Sequence, residues 1–91
     1  MKNKAIYDWP FPEELYGQTI EGIDVAILSS DSLRIMAAFA QHGELSDIQK
    51  KVFHRCREEL KEVCPHLNGY AKEYFQKLSH EVEKTFTRAK I

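Results

Sequence analysis

Two cysteines in 91 residues are too few to staple a small secreted fold. Cys56 and Cys64 also fall within one helical pattern, where their spacing separates them by ~12 Å along the axis, beyond the ~7 Å reach of a disulfide. Reduced thiols and a cytoplasmic setting are expected. Long apolar runs are missing too. No stretch approaches the ~18–20 residues that span a bilayer, and "MKNKAIYDW" lacks the apolar h-region of a signal peptide. The four glycines, Gly17, Gly22, Gly43 and Gly69, stand apart, so neither a dinucleotide fingerprint nor a phosphate loop can be assembled. A formal net charge of −1 supplies no bulk attraction to nucleic acid or to an anionic membrane. Such binding would need a local patch.

What is present is a globular composition, 43% hydrophobic and 30% charged. The chain also exceeds the ~70–80 residues below which a hydrophobic core is too thin to hold a fold. No repeat or low-complexity tract divides it, so residues 1–91 read as a single helical domain. Residues 1–22 form an irregular, aromatic N-terminal arm that contains "YDWPFPEELYG". Within it, Pro12 suits a first helical position, Glu13 and Glu14 suit the positive end of a helix dipole, and Gly17 suits an exit, which predicts one short turn.

The segment "GIDVAILSSDSLRIMAAFAQHG" is ambiguous at its start. Ile23, Val25 and Ile27 alternate as in a strand, whereas Leu28, Ile35, Met36 and Phe39 favour a helix. Ser29, Ser30 and Asp31 are good N-caps, so a helix is expected from near Asp31 to His42, with extension back towards Asp24 left open. The second helix, Ser46 to Cys64, opens with a capping box formed by Ser46 and Gln49. It repeats apolar residues at Leu45, Ile48, Val52, Cys56, Leu60 and Val63, and Pro65 ends it. The third, Gly69 to Ala89, carries Ala71, Tyr74, Phe75, Leu78, Val82, Phe86 and Ala89 on one side. Each helix has one apolar face to bury, and the two long ones share a short loop, so the expected fold class is all-α, a small three-helix bundle.

The chemistry-bearing residues do not assemble into a familiar catalytic pattern. "SHEVEK" has lysine where a zinc-protease helix places its second histidine. His54, Cys56, Cys64 and His66 invite a zinc site, but His54 and Cys56 lie ~200° apart around a helix and cannot face one ion without unwinding it. Cys56 sits on the apolar face, where a free cysteine behaves as a small hydrophobe and a poor nucleophile. No catalytic residue, cofactor or metal is therefore assigned, and the chain is read as non-enzymatic.

Charge on the second helix is unusual. Lys50, Lys51, His54, Arg55 and Arg57 crowd its first half and Glu58, Glu59 and Glu62 its second, against the helix dipole. The i,i+4 pairs Asp47 with Lys51 and Arg55 with Glu59 offset only a few tenths of a kcal/mol each. Either this is a solvated face, or Lys50, Lys51 and Arg55 orient an acidic partner. The arm offers the same choice. Trp9, Phe11, Leu15 and Tyr16 fold back to add apolar area worth ~1.5–3 kcal/mol per large side chain fully buried, or Trp9, Phe11 and Tyr16 form a partly exposed hot spot. An arm of this kind could also dock on a second copy.

The motifs "TIEGIDVAILSSD", "GELS", "CREEL" and "YFQKL", in that order, resemble a loose group of small uncharacterised bacterial proteins of unassigned function. The resemblance runs from Thr19 to Leu78, about two thirds of the chain. It implies a bacterial, cytosolic origin and a helical domain, and it brings no active site. The expected function is a helical protein-interaction module, a bacterial regulatory or accessory protein that binds another protein or itself through Trp9, Phe11, Tyr16, Lys50, Lys51 and Arg55. The alternatives are nucleic-acid binding through the basic first half of helix two, and an enzyme or metal site around Cys56 and Cys64.

Overall fold

The structure, a computed structural model, describes residues 4–91. The arm makes two short 3-10 turns, Ile6–Asp8 and Glu13–Leu15, and then a minimal antiparallel hairpin of β1, Thr19–Ile20, and β2, Ile23–Asp24. Three helices follow: α1, Val25–His42; α2, Asp47–Val63; and α3, Gly69–Ala89. A single 3-10 turn, Cys64–His66, prolongs α2. All three helices pack on one another, as the apolar periodicity demands.

The hairpin was not foreseen, and it settles the ambiguous segment. Ile20 pairs with Ile23 across a two-residue loop, Glu21–Gly22, in which both residues have positive φ, the backbone hand that suits a tight hairpin. The chain therefore leaves β2 at Asp24, whose side chain accepts a hydrogen bond from the Ile27 amide at 3.0 Å and caps α1 there. Helix one thus begins at Val25, earlier than Asp31. Its buried residues, Val25, Leu28, Ser29, Ser32, Ile35 and Met36, follow helical spacing, and Ile27 faces solvent. Ser29 and Asp31 cap nothing. They are interior helical residues that reach the neighbouring helices.

Helix two begins at the expected capping box. The Ser46 hydroxyl accepts from the Gln49 amide at 3.1 Å, and the Gln49 side chain accepts from the Ser46 amide at 2.9 Å. Its buried stripe is Phe53, Cys56, Leu60 and Val63. Ile48 is 75% exposed and Val52 only half buried, so the stripe enters one position later than the apolar pattern suggests. On α3, Ala71, Tyr74, Phe75, Leu78, Val82 and Phe86 are all buried.

Aromatic side chains of α3 join the other elements to it. The Tyr74 hydroxyl shares a buried 2.6 Å hydrogen bond with Ser29 of α1. Phe53 of α2 stacks on Phe86 at 4.6 Å. Phe11 of the arm meets Tyr74 and Phe75 edge-on, at 5.6 and 6.1 Å. Beside them, Trp9 stacks on Tyr70 at 6.1 Å and its indole nitrogen donates to the Lys4 carbonyl, while the Tyr70 hydroxyl donates to the Pro10 carbonyl. Ile6, Pro12 and Leu15 are buried beneath this segment. Tyr16 departs from the expected fold-back: its ring touches Phe11 at 4.8 Å, yet the side chain is 62% exposed.

Two outcomes follow. Ser29→Ala, which orphans the buried Tyr74 hydroxyl, should cost about 1–2 kcal/mol in urea unfolding, Tyr74→Phe somewhat less, and the double variant less than their sum. Trp9 emission should show intermediate acrylamide quenching that is independent of protein concentration, with quenching rising in Tyr70→Ala; full exposure in the native protein would contradict the docked arm.

Candidate functional site

The charges of α2 find partners across the bundle. Arg55 reaches Asp31 of α1 at 3.4 Å and Glu59 at 4.0 Å. Arg57 grips Glu83 of α3 through two 2.7 Å hydrogen bonds, with its guanidinium 4.6 Å from the centre of the Phe86 ring. The two arginines thus tie α2 to both neighbours, which accounts for cations placed against the helix dipole. Lys50 and Lys51 make no ion pair among the described residues, so the expected Asp47–Lys51 pair is not formed. Of the basic cluster Lys50, Lys51 and Arg55, only the two lysines are left without an ionic tie.

Cys56 is buried and Cys64 half-buried, and both are free thiols. Burial pushes both thiols above their ordinary range, away from nucleophilic thiolate. The His54 ring packs against Phe86 at 4.9 Å, and His66 lies 3.1 Å from Glu21. The structure does not bring His54, Cys56, Cys64 and His66 together, and among the described residues no group of three or more His, Cys, Asp or Glu could hold a metal ion.

Two depressions stand out. A cleft of about 340 Å³ with mixed walls lies between the hairpin and the start of α3, lined by Glu14, Gln18, His66 and Asn68 and by Leu15, Ile20, Leu67 and Ala71. The second feature lies at the other end of the bundle and is apolar. Tyr7, 53% exposed, overhangs Ala37, Ala40 and Gln41 on the outer face of α1. A neighbouring depression of about 440 Å³ shares Tyr7 and Ala40 with it and runs between Ile6, Met36 and Phe39 on one side and Glu81, Thr85 and Arg88 of α3 on the other. Burial raises the Tyr7 phenol above its ordinary value, with the Glu81 charge adding to the shift.

The groove borders a helix that is short of charge. Asp31 and Arg34 are the only acidic or basic side chains in α1 apart from its last residue, His42, and they pair with each other at 2.6 Å. A surface helix normally carries polar residues opposite its buried stripe. Here Ile27, Ala37 and Ala40 are exposed alongside Ser30, Arg34, Gln41 and His42, so the outer face is polar but carries little charge. Tyr7, Ala37, Ala40 and Arg88 escaped the sequence reading. The sparse charge between Val25 and His42 was the available signal, but alanines on a helix read equally well as core.

Compared with known protein families, curated proteins and solved structures, the chain matches none. Among the described residues, no helix is long and apolar enough to cross a membrane.

The α3 wall carries a pH signature. Burial alone would raise the Glu81 carboxyl, but Lys84 at 3.3 Å and Lys77 at 3.5 Å outweigh it and hold it below the usual carboxylate range. A depressed carboxylate stabilises the fold above its unfolded-state pKa, and that contribution is lost as pH falls through the folded value. Unfolding measured through the acid range should therefore show a stability loss below the usual carboxylate pKa that is shallower in Glu81→Gln.

Proposed function

We propose that this protein is a non-enzymatic, helical protein-interaction module, a small bacterial regulatory or accessory protein of the cytoplasm that docks a partner along the outer face of α1. The observation that carries the reading is the charge-poor α1, whose exposed Ala37 and Ala40 lie beneath Tyr7 in an apolar groove. Contiguous exposed apolar surface marks an interaction site more often than it serves a monomer. Trp9 and Phe11 support such a site indirectly, because their contacts with Tyr70, Tyr74 and Phe75 hold the arm that carries Tyr7. Tyr16, Lys50 and Lys51 are assigned to peripheral contacts, and Arg55 to the tie between α1 and α2. The bacterial, cytoplasmic setting rests on the likeness of "TIEGIDVAILSSD" and its companion motifs to small bacterial proteins, and on the reduced cysteines. The non-enzymatic reading rests on the raised thiols and dispersed histidines.

Ala40→Glu places a charge on the groove floor while leaving the core untouched. Affinity isolation from bacterial cytosol should recover a stoichiometric protein partner with the natural chain, and Ala40→Glu should lower its recovery at least tenfold with an unchanged helical circular-dichroism spectrum. Equal recovery with Ala40→Glu, or robust turnover abolished by Cys56→Ala, would sink the proposal.

A further inference from the structure

The arm is fastened to the helices by side chains alone. Among the described residues, each backbone–backbone hydrogen bond that it makes joins residues three apart, so its backbone closes on itself. No residue from Lys4 to Gln18 takes part in an ion pair there. What holds the arm is the Trp9–Tyr70 stack, the bond from the Tyr70 hydroxyl to the Pro10 carbonyl, and the seat of Phe11 on Tyr74 and Phe75. Aromatic-lined grooves take up proline-rich segments by the same means, because proline lowers the entropy lost on docking. Helix three therefore carries a receptor for this segment, and its occupant is written in the same chain.

The arm meets the rest of the fold at one residue. After Gly17 the chain is tied to α1: the Gln18 carbonyl accepts from the Val25 amide at 3.4 Å, and Ile20 pairs with Ile23. Before it, Leu15 is buried with the arm. A single turn hydrogen bond, from the Gln18 amide to the Leu15 carbonyl at 3.1 Å, spans the junction. Gly17 has a φ of +75°, and a side chain there would meet no atom within 4 Å. The turn that returns the arm to its own α3 thus needs a left-handed backbone, which a β-branched residue resists even where there is room for it.

We propose that this face of α3 also takes the arm of a second copy, two chains exchanging residues 4–16 about Gly17 in a two-fold dimer. Each copy then supplies Trp9, Pro10 and Phe11 to the other's Tyr70, Tyr74 and Phe75. Exchange keeps the docking contacts of the arm, so the hinge and the chain concentration set the balance between closed monomer and exchanged dimer. This goes beyond the docking of a partner on α1, and neither depends on the other.

The test is sedimentation velocity of the full chain from micromolar to millimolar concentration. The natural protein should pass from monomer to dimer as concentration rises. Gly17→Val penalises the closed turn and spares an extended hinge, so its association constant should rise at least about tenfold. Gly17→Ala should shift the same way by less, and it carries the test if Gly17→Val does not fold. Asparagine tolerates the left-handed region, so Gly17→Asn should stay near the natural chain. In dimers of one isotope-labelled and one unlabelled chain, isotope-filtered nuclear Overhauser effects should join Phe11 of one copy to Tyr74 of the other. Trp9 emission should not change on dimerisation, because its stack on Tyr70 is preserved. A natural chain that stays monomeric at millimolar concentration would overturn the proposal. So would dimerisation that ignores Gly17→Val and Gly17→Ala, a strained hinge that exposes Trp9 without dimerisation, or a dimer in which Phe11 meets Tyr74 only within its own chain.

Discussion

Tyr74 is where three parts of the chain meet. Its hydroxyl is shared with Ser29 of α1, its ring receives the edge of Phe11 from the arm, and its backbone belongs to α3. A buried tyrosine needs a partner for its hydroxyl, and here that partner sets how α1 lies against α3. The same ring sets where the arm can land. Once Phe11 is seated, Pro12 and Leu15 are buried behind it and Ile6 ahead of it, which leaves Tyr7 projecting over α1. The groove is thus a consequence of how the arm is pinned, more than of anything in α1 alone.

The three helices are clothed unequally. Helix two sends Arg55 to α1 and Arg57 to α3, so its apparent excess of first-half cations is largely structural cross-bracing. Exposed ion pairs of this kind contribute little stability individually, but the paired geometry of Arg57 and Glu83 over Phe86 restricts the register of α2 on α3. Helix one receives that bracing and supplies almost no charge of its own. The surface that results is rich in charge on α2 and α3 and poor in charge on α1.

Much of the architecture was legible from local chemistry. Ser46 with Gln49 announced α2, Pro65 closed it, and the apolar repeat of α3 from Ala71 to Phe86 is buried as spaced. These are signals in which neighbours a few residues apart determine the outcome. The start of α1 was harder, because Asp24, Ser29, Ser30 and Asp31 are all competent caps. The choice fell to Asp24 because the Glu21–Gly22 turn delivers the chain there. Ile48 illustrates the converse: it fits the helical repeat of α2, yet the packing of Phe53 on Phe86 turns it outward. Of the residues read as a binding set, the structure seats Trp9 and Phe11 on α3, pairs Arg55, and leaves Tyr16 exposed.

By itself, the sequence determined that this chain is mostly helical, and roughly where its second and third helices begin and end. Capping, proline and apolar periodicity act within a turn or two of the chain, so they survive without knowledge of the fold. Only the tertiary structure decided which aromatics are core, which cations are free, and where apolar surface is left uncovered. Those properties depend on residues distant in sequence, such as Ser29 and Tyr74, Phe11 and Phe75, or Tyr7 and Ala40. No local pattern carries that information, because burial and pairing are decided by what the rest of the chain brings alongside.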